Sequence, residues 1–154
     1  MAKASTNKID IYGDYKLTGT THKNNERDSF GMIYDSMLRS NAYKNLTLRE
    51  KHFYTICRVY ARTEKANQIK YNFQKECRKF NPKITFEDID FCFPETQLKR
   101  YGIDKSNASK MFDSLEKNGF IVRKMKNKDR QKMNVYSFSN NWKQQEFKQT
   151  PKDK

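Results

Sequence analysis

Long apolar runs are missing from this 154-residue chain. None approaches the ~20 residues that a bilayer-spanning helix requires. Nor does a basic start lead into an apolar stretch and small residues, as in a secretion signal. The expectation is a cytoplasmic protein that does not enter a membrane. Cysteine is also scarce: Cys57, Cys77 and Cys92 are odd in number and widely spaced, with no C-x-x-C pair or His/Cys cluster. That excludes the usual zinc patterns and leaves three free thiols packed as small hydrophobes. Histidine is rarer still. His22 and His52 stand far apart, so the nucleophilic tyrosine and metal-binding histidines of DNA-nicking enzymes have no counterpart, and His52 is read as structural. No phosphate-cradling glycine loop or dinucleotide fingerprint is present. Glu87, Asp88 and Asp90 form the one acidic cluster, read as an exposed loop in preference to a magnesium site. No catalysis, metal or cofactor is expected.

Acidic residues are outnumbered. Lys and Arg total 32 against 18 Asp and Glu, a net charge of +14 and a pI near 9.7. Such an imbalance is a statement about partners more than about fold. It admits nucleic acid, an anionic membrane or an acidic protein, and the missing apolar runs make membrane the weakest of the three. Hydrophobic residues are only 35% of the chain, so the core must be compact, and 11 Phe and 9 Tyr supply much of it.

The organisation is one domain between polar ends. Residues 1–28 read as a flexible arm, polar through Thr18, Thr20, Thr21 and His22–Arg27, in which Ile9, Ile11, Tyr12, Tyr15 and Leu17 form an apolar patch able to dock on the domain. Residues 141–154 are a second polar tail, anchored through Trp142 and Phe147. Within 29–140, Phe30, Ile33, Tyr34, Met37 and Leu38 recur at helical spacing, capped by Asp28 or Ser29. Thr47 and Glu50 then form a capping box ahead of a buried stripe, Phe53, Ile56, Cys57 and Tyr60. A basic helical insertion at about 62–83 carries Ile69, Phe73, Cys77 and Phe80 and stops at Asn81-Pro82. A short strand is expected at Ile89–Phe93. No internal repeat is visible.

Residues 95–139 say most. Pro94 suits a first helical position, with Leu98 and Tyr101 buried and Gly102 closing the helix. Asp104 caps the next, whose buried positions are Ala108, Phe112 with Met111, and Leu115; Asn118-Gly119 supplies a left-handed stop. Phe120–Met125 and Met133–Ser139 read as strands around the polar tip 126–132, with Tyr136 and Phe138 on the inner face. The order predicts a mainly α fold with a small antiparallel β-sheet, a winged helix-turn-helix.

The exposed positions of that unit carry the functional reading. From Gln97 to Lys132 there are 11 basic and 4 acidic residues. The second helix of a helix-turn-helix enters the major groove N-terminal turns first, which places Lys105, Ser106, Asn107, Ser109 and Lys110 at base edges. Lys99, Arg100 and the hairpin residues Arg123, Lys124, Lys126, Lys128, Arg130 and Lys132 would meet the backbone. Asp113 is read as a partner for Lys110, and Glu116 and Lys117 as solvated surface. Double-stranded DNA is the expected partner. Most aromatics fall on core stripes, which disfavours stacking on single strands, and neither an RNP pattern nor a GXXG loop marks an RNA-binding module.

The stretches SMLRSNAYKNLTLREKHFYTICRVYAR and FCFPETQLKRYGIDKSNASKMFDSLEKNGFI resemble the winged-helix DNA-binding proteins of Gram-positive plasmids, phages and conjugative elements. These include replication-initiator N-terminal domains and accessory proteins of conjugative transfer. The resemblance covers about residues 30–139. It implies a non-enzymatic, sequence-specific factor at an origin of transfer or replication, working with other replication or transfer proteins, with a homodimer left open. Lys105, Ser106, Asn107 and Lys110 would face the groove and residues 123–132 would form the wing. The chain departs from larger initiators in having no further domain after the wing, and from the pattern as a whole in its long basic insertion. A transcriptional regulator and a protein-interaction module with a basic docking face are the alternatives.

Overall fold

The computed structural model describes residues 31–125 and 133–145. The first helical region is two pieces, α1 (Asp35–Arg39) and α2 (Asn41–Lys44). Ser40 breaks it. Its backbone is extended, its Oγ accepts from the Tyr43 N–H at 3.1 Å, and its hydroxyl donates to the Met37 carbonyl at 2.6 Å. Serine competes with helical backbone bonding in this way, which is why it favours caps over helix interiors. The helix therefore starts later than expected, behind Tyr34, and the expected caps Asp28 and Ser29, like Phe30, lie outside the described residues.

α3 (Leu48–Tyr60) opens on the expected capping box: Glu50 N–H donates to Thr47 Oγ1 at 3.3 Å, and Thr47 N–H to a Glu50 carboxylate oxygen at 2.7 Å. Phe53, Cys57 and Tyr60 are buried and Ile56 half-buried; Tyr54 is buried too, because α3 is covered on two sides. α4 (Glu64–Arg78) is capped by Thr63, which accepts from the Ala66 N–H. It buries Ala66 and Phe73, but Phe80 falls past its last turn and is 83% exposed, contrary to expectation.

β1 is only Asp90–Phe91, shorter than the expected Ile89–Phe93. Pro94 is the N-cap of α5 (Glu95–Arg100), extended at ψ 158, and does not occupy the first helical position. α5 buries Gln97 and Leu98, whereas Tyr101 sits at the rim with ring edges toward Tyr60 and Phe93. α6 (Lys105–Lys117) starts from Asp104, which accepts from the Ser106 N–H at 3.2 Å, and buries Ala108, Phe112 and Leu115. It ends at Gly119, φ +82, where the Phe120 N–H reaches back to the Leu115 carbonyl in the left-handed stop that glycine allows.

β2 (Ile121–Met125) and β3 (Val135–Phe138) complete an antiparallel sheet of order β1-β3-β2, with Ile121 opposite Phe138 and Phe91 opposite Tyr136. Side chains alternate across a strand, and both faces are covered. The inner face carries Phe91, Tyr136, Phe138 and Ile121 against α3 and α6; Tyr136 stacks on Phe112 at 3.9 Å, and Phe53 meets Phe112 edge-on at 4.8 Å. The outer face carries Cys92 and Val135 under Phe73 of α4, with Ile69, Phe86, Met125 and Met133 around them. A short 3-10 turn (Asn141–Gln145) brings Trp142 into the core beside Phe120; Phe147 lies outside the described residues. The architecture is mainly helical with a small antiparallel sheet, a winged helix-turn-helix with α4 added behind the sheet. No helix among the described residues is long and apolar enough to cross a membrane. Cys57, Cys77 and Cys92 form no disulfide.

Candidate nucleic-acid interface

α6 is held from behind by its apolar stripe against α3 and from below by α5, so its opposite arc faces out. That arc comprises Lys105, Ser106, Ser109, Lys110, Asp113 and Lys117, all exposed. Four of the five expected base-reading residues lie on it. The fifth, Asn107, is half-buried at its edge.

Local bonding sorts these groups. The Ser106 hydroxyl donates to the Asp104 carboxylate, so its proton is engaged within the chain. That bond holds the Asp104 carboxyl below its ordinary range and keeps the cap ionised. Lys105 Nζ stands 3.8 Å from Glu95, which pairs more closely, at 3.1 Å, with Lys99. Arg100 reaches Gln97 at 3.4 Å. The two lysine pairs with Glu95 are exposed and worth little individually, and each lysine can exchange its carboxylate for a phosphate.

The hairpin root is different. Arg123 was expected to meet phosphates. Instead its side chain, 15% exposed, lies on the inner face and pairs with Asp113 and Glu116 of α6, its guanidinium over the Tyr136 ring. Asp113 therefore partners Arg123 and not Lys110, and Glu116 accepts from the Arg123 backbone N–H at 3.1 Å, so Glu116 is a structural group and not solvated surface. Lys124 points to the outer face. Its Nζ is 2.8 Å from Asp90 and 3.5 Å from Glu87, and the Asp90 carboxylate holds the ammonium above its ordinary range. Asp90 is 1% exposed, against the expectation of an exposed acidic loop; it also accepts from the Glu87 N–H at 2.8 Å. One member of the acidic cluster is thus a buried anchor for the hairpin. Arg123 on the inner face and Lys124 on the outer face both fasten the wing to the body. Lys126, Lys128, Arg130 and Lys132 lie outside the described residues.

Arg123 also affects the outward arc. Asp113 is the carboxylate on that arc, and Arg123 compensates its charge. Two further residues border the site. Arg49 and His52 of α3, both exposed, line a cleft of about 260 Å³ with Asp104, Asn107 and Met111. Periodicity placed both on α3 but could not show which helix lies beside that rim. A larger groove, about 830 Å³, takes no residue from α6. Among the phenols, burial pushes Tyr54 up to about 12, and Tyr60 donates to the Cys92 carbonyl at 2.8 Å. No group of three or more metal-ligating side chains occurs among the described residues. Comparison with protein-family models, with curated proteins and with solved structures finds no match.

Proposed function

We propose that the protein binds double-stranded DNA at a specific site, with α6 in the major groove and the hairpin on the flanking backbone. It would act as a non-enzymatic accessory factor at an origin of transfer or replication of a mobile genetic element. The observation that carries the reading is the outward arc of α6: lysines and small hydroxyl residues foremost, with its one acidic member neutralised from the hairpin root. Asn107 at the arc's edge can pair bidentately with adenine, and Lys110 can donate to guanine. The role at an origin rests on the resemblance of the element order and motifs to plasmid and conjugative winged-helix proteins.

The test is binding to a duplex selected from random pools, and to its scrambled counterpart, over a range of salt. With about six phosphates neutralised, log K should fall against log salt with a slope near −5, roughly a thousandfold from 50 to 200 mM. Asn107→Ala and Lys110→Ala should each cost ~1–3 kcal/mol on the selected site and less on the scrambled one. Equal losses on both would show that α6 only follows the backbone. A flat salt response without a selected site would leave a protein-interaction module. A selected site found at promoters, and absent from origins, would make the protein a transcriptional regulator.

A further inference from the structure

The insertion between α3 and β1 is not needed to build a helix-turn-helix, yet it holds a concentration of positive charge. Its basic residues divide by direction. Lys70 Nζ donates to the Glu87 and Asp88 carbonyls at 3.1 and 3.3 Å, and Arg78 Nε to the Ile84 carbonyl at 3.0 Å; both hold the 84–89 loop onto α4. Lys65, Lys75 and Lys79 turn the other way. With Gln68 and Asn72 they recur at alternating three- and four-residue steps, which places all five on one helix face. Every one of the five is exposed. None of the three lysines is ion-paired among the described residues, and Lys75 is braced over the exposed Tyr71 ring at 4.6 Å. Glu64 and Glu76, both exposed, are the carboxylates beside this stripe.

The opposite side of α4 fixes where the stripe lies. Phe73 packs on Cys92 and Val135, joined by Met125 and Met133, the residues that flank the hairpin tip. α4 is therefore seated against the outer face of the wing, close to its tip end. α6 packs on the inner face of the sheet and α4 on the outer face, so a duplex that touches both must run past the wing. Lys65 and Lys79 are about 21 Å apart along the helix axis, the rise of about six base pairs. Amide and ammonium donors in one row, with no apolar member, suit phosphate oxygens and offer little to an apolar partner.

We infer that the Lys65–Gln68–Asn72–Lys75–Lys79 face of α4 is a second DNA-backbone contact, extending the bound length of duplex beyond the wing. The inference rests on the DNA-binding reading above and adds a surface to it. The experiment compares wild type, the triple variant Lys65→Ala/Lys75→Ala/Lys79→Ala and the double variant Lys105→Ala/Lys110→Ala on one duplex of about 30 base pairs, three helical turns, across a salt range. Alanine favours exposed helix positions, so the triple variant should melt as wild type does. Its slope of log K on log salt should be less steep by up to ~2.7, three phosphates at about 0.9 each, with affinity down about tenfold or more. If the triple variant binds as wild type while the α6 variant is weakened, α4 does not touch DNA and the interface on α6 stands. If only the triple variant is weakened, the α6 assignment fails and α4 is the contact. Absence of duplex binding by wild type overturns both. Wild-type DNA affinity in the triple variant, together with lost binding to polyglutamate, would assign the face to an acidic protein and overturn the inference.

Discussion

Replacing Arg123 by methionine separates two roles for this side chain that the sequence cannot distinguish. Methionine keeps much of the apolar stem under Tyr136 and removes the guanidinium. The partners are unequal: Asp113 is 61% exposed and Glu116 34%, while Arg123 is 15% exposed. Breaking a fully buried pair costs ~3–5 kcal/mol, and an exposed pair contributes ~1 kcal/mol at most. With one partner mostly in water, ~1–2 kcal/mol is expected, since Glu116 keeps the bond from the residue 123 backbone N–H. For a domain of this size that is a fall of ~4–8 °C in melting temperature. In the proposed complex the freed Asp113 carboxylate would then face the duplex. A phosphate ~8 Å away in water is repelled by ~0.5 kcal/mol, a loss of two- to threefold in affinity. Adding Asp113→Asn should restore affinity and leave stability low. Thermal melting and fluorescence anisotropy read the two effects separately. An unchanged melting temperature would refute the ion pair. A loss of tenfold or more that Asp113→Asn does not restore would show Arg123 on the phosphate itself, as the sequence had suggested.

Two further changes test the packing. Phe112→Ala removes the ring held between Tyr136 and Phe53 and should cost ~3–5 kcal/mol, measured by urea unfolding; a cost below ~1 kcal/mol would misplace the core face of α6. Gly102 and Gly119 both adopt positive φ, but a Cβ at Gly102 meets nothing within 4 Å, whereas at Gly119 it lies 2.5 Å from the Trp142 nitrogen. Gly102→Ala should therefore cost ~1–2 kcal/mol, the left-handed penalty alone, and Gly119→Ala clearly more; equal costs would mean that the Trp142 turn yields without resistance.

What was legible in the sequence is what local chemistry determines. The Thr47–Glu50 box, the Asp104 cap, the Gly119 stop and the Ala108–Phe112–Leu115 stripe each declare themselves within a few residues. The errors arise where partners are distant along the chain. Asp90 reads as a surface carboxylate until Lys124, on another strand, is seen against it. Asp113 looks like a partner for Lys110, and Glu116 like solvated surface, until Arg123 folds back from β2. Ser40 misled for another reason: helical periodicity continues through it, and the break comes from a side chain bonding its own backbone, which apolar spacing does not register. Phe80 followed the α4 pattern in number but came after the last turn. The outward face of α6 was legible because a helix that buries one stripe must present the other. The basic face of α4 was visible only as an excess of charge, since its direction depends on which strands Phe73 packs against.

Tyr60 and Cys92 bracket the insertion. The phenol of one is bonded to the carbonyl of the other, and the Tyr60 ring stacks on Phe93 at 3.9 Å. The chain thus leaves the helical body and returns to it at nearly the same point, so everything between is a detour closed at its base. Lengthening such a closed excursion costs only ~0.6 kcal/mol for each doubling. Within it Phe73 covers Cys92 and Val135, Ala66 and Phe91 join the main core, and Asp90 anchors Lys124; the exposed face of α4 carries none of these contacts. The fold thus carries on its back a helix whose outward face can take or lose charge without touching the packing of α3, α5 and α6, because that face points away from the sheet.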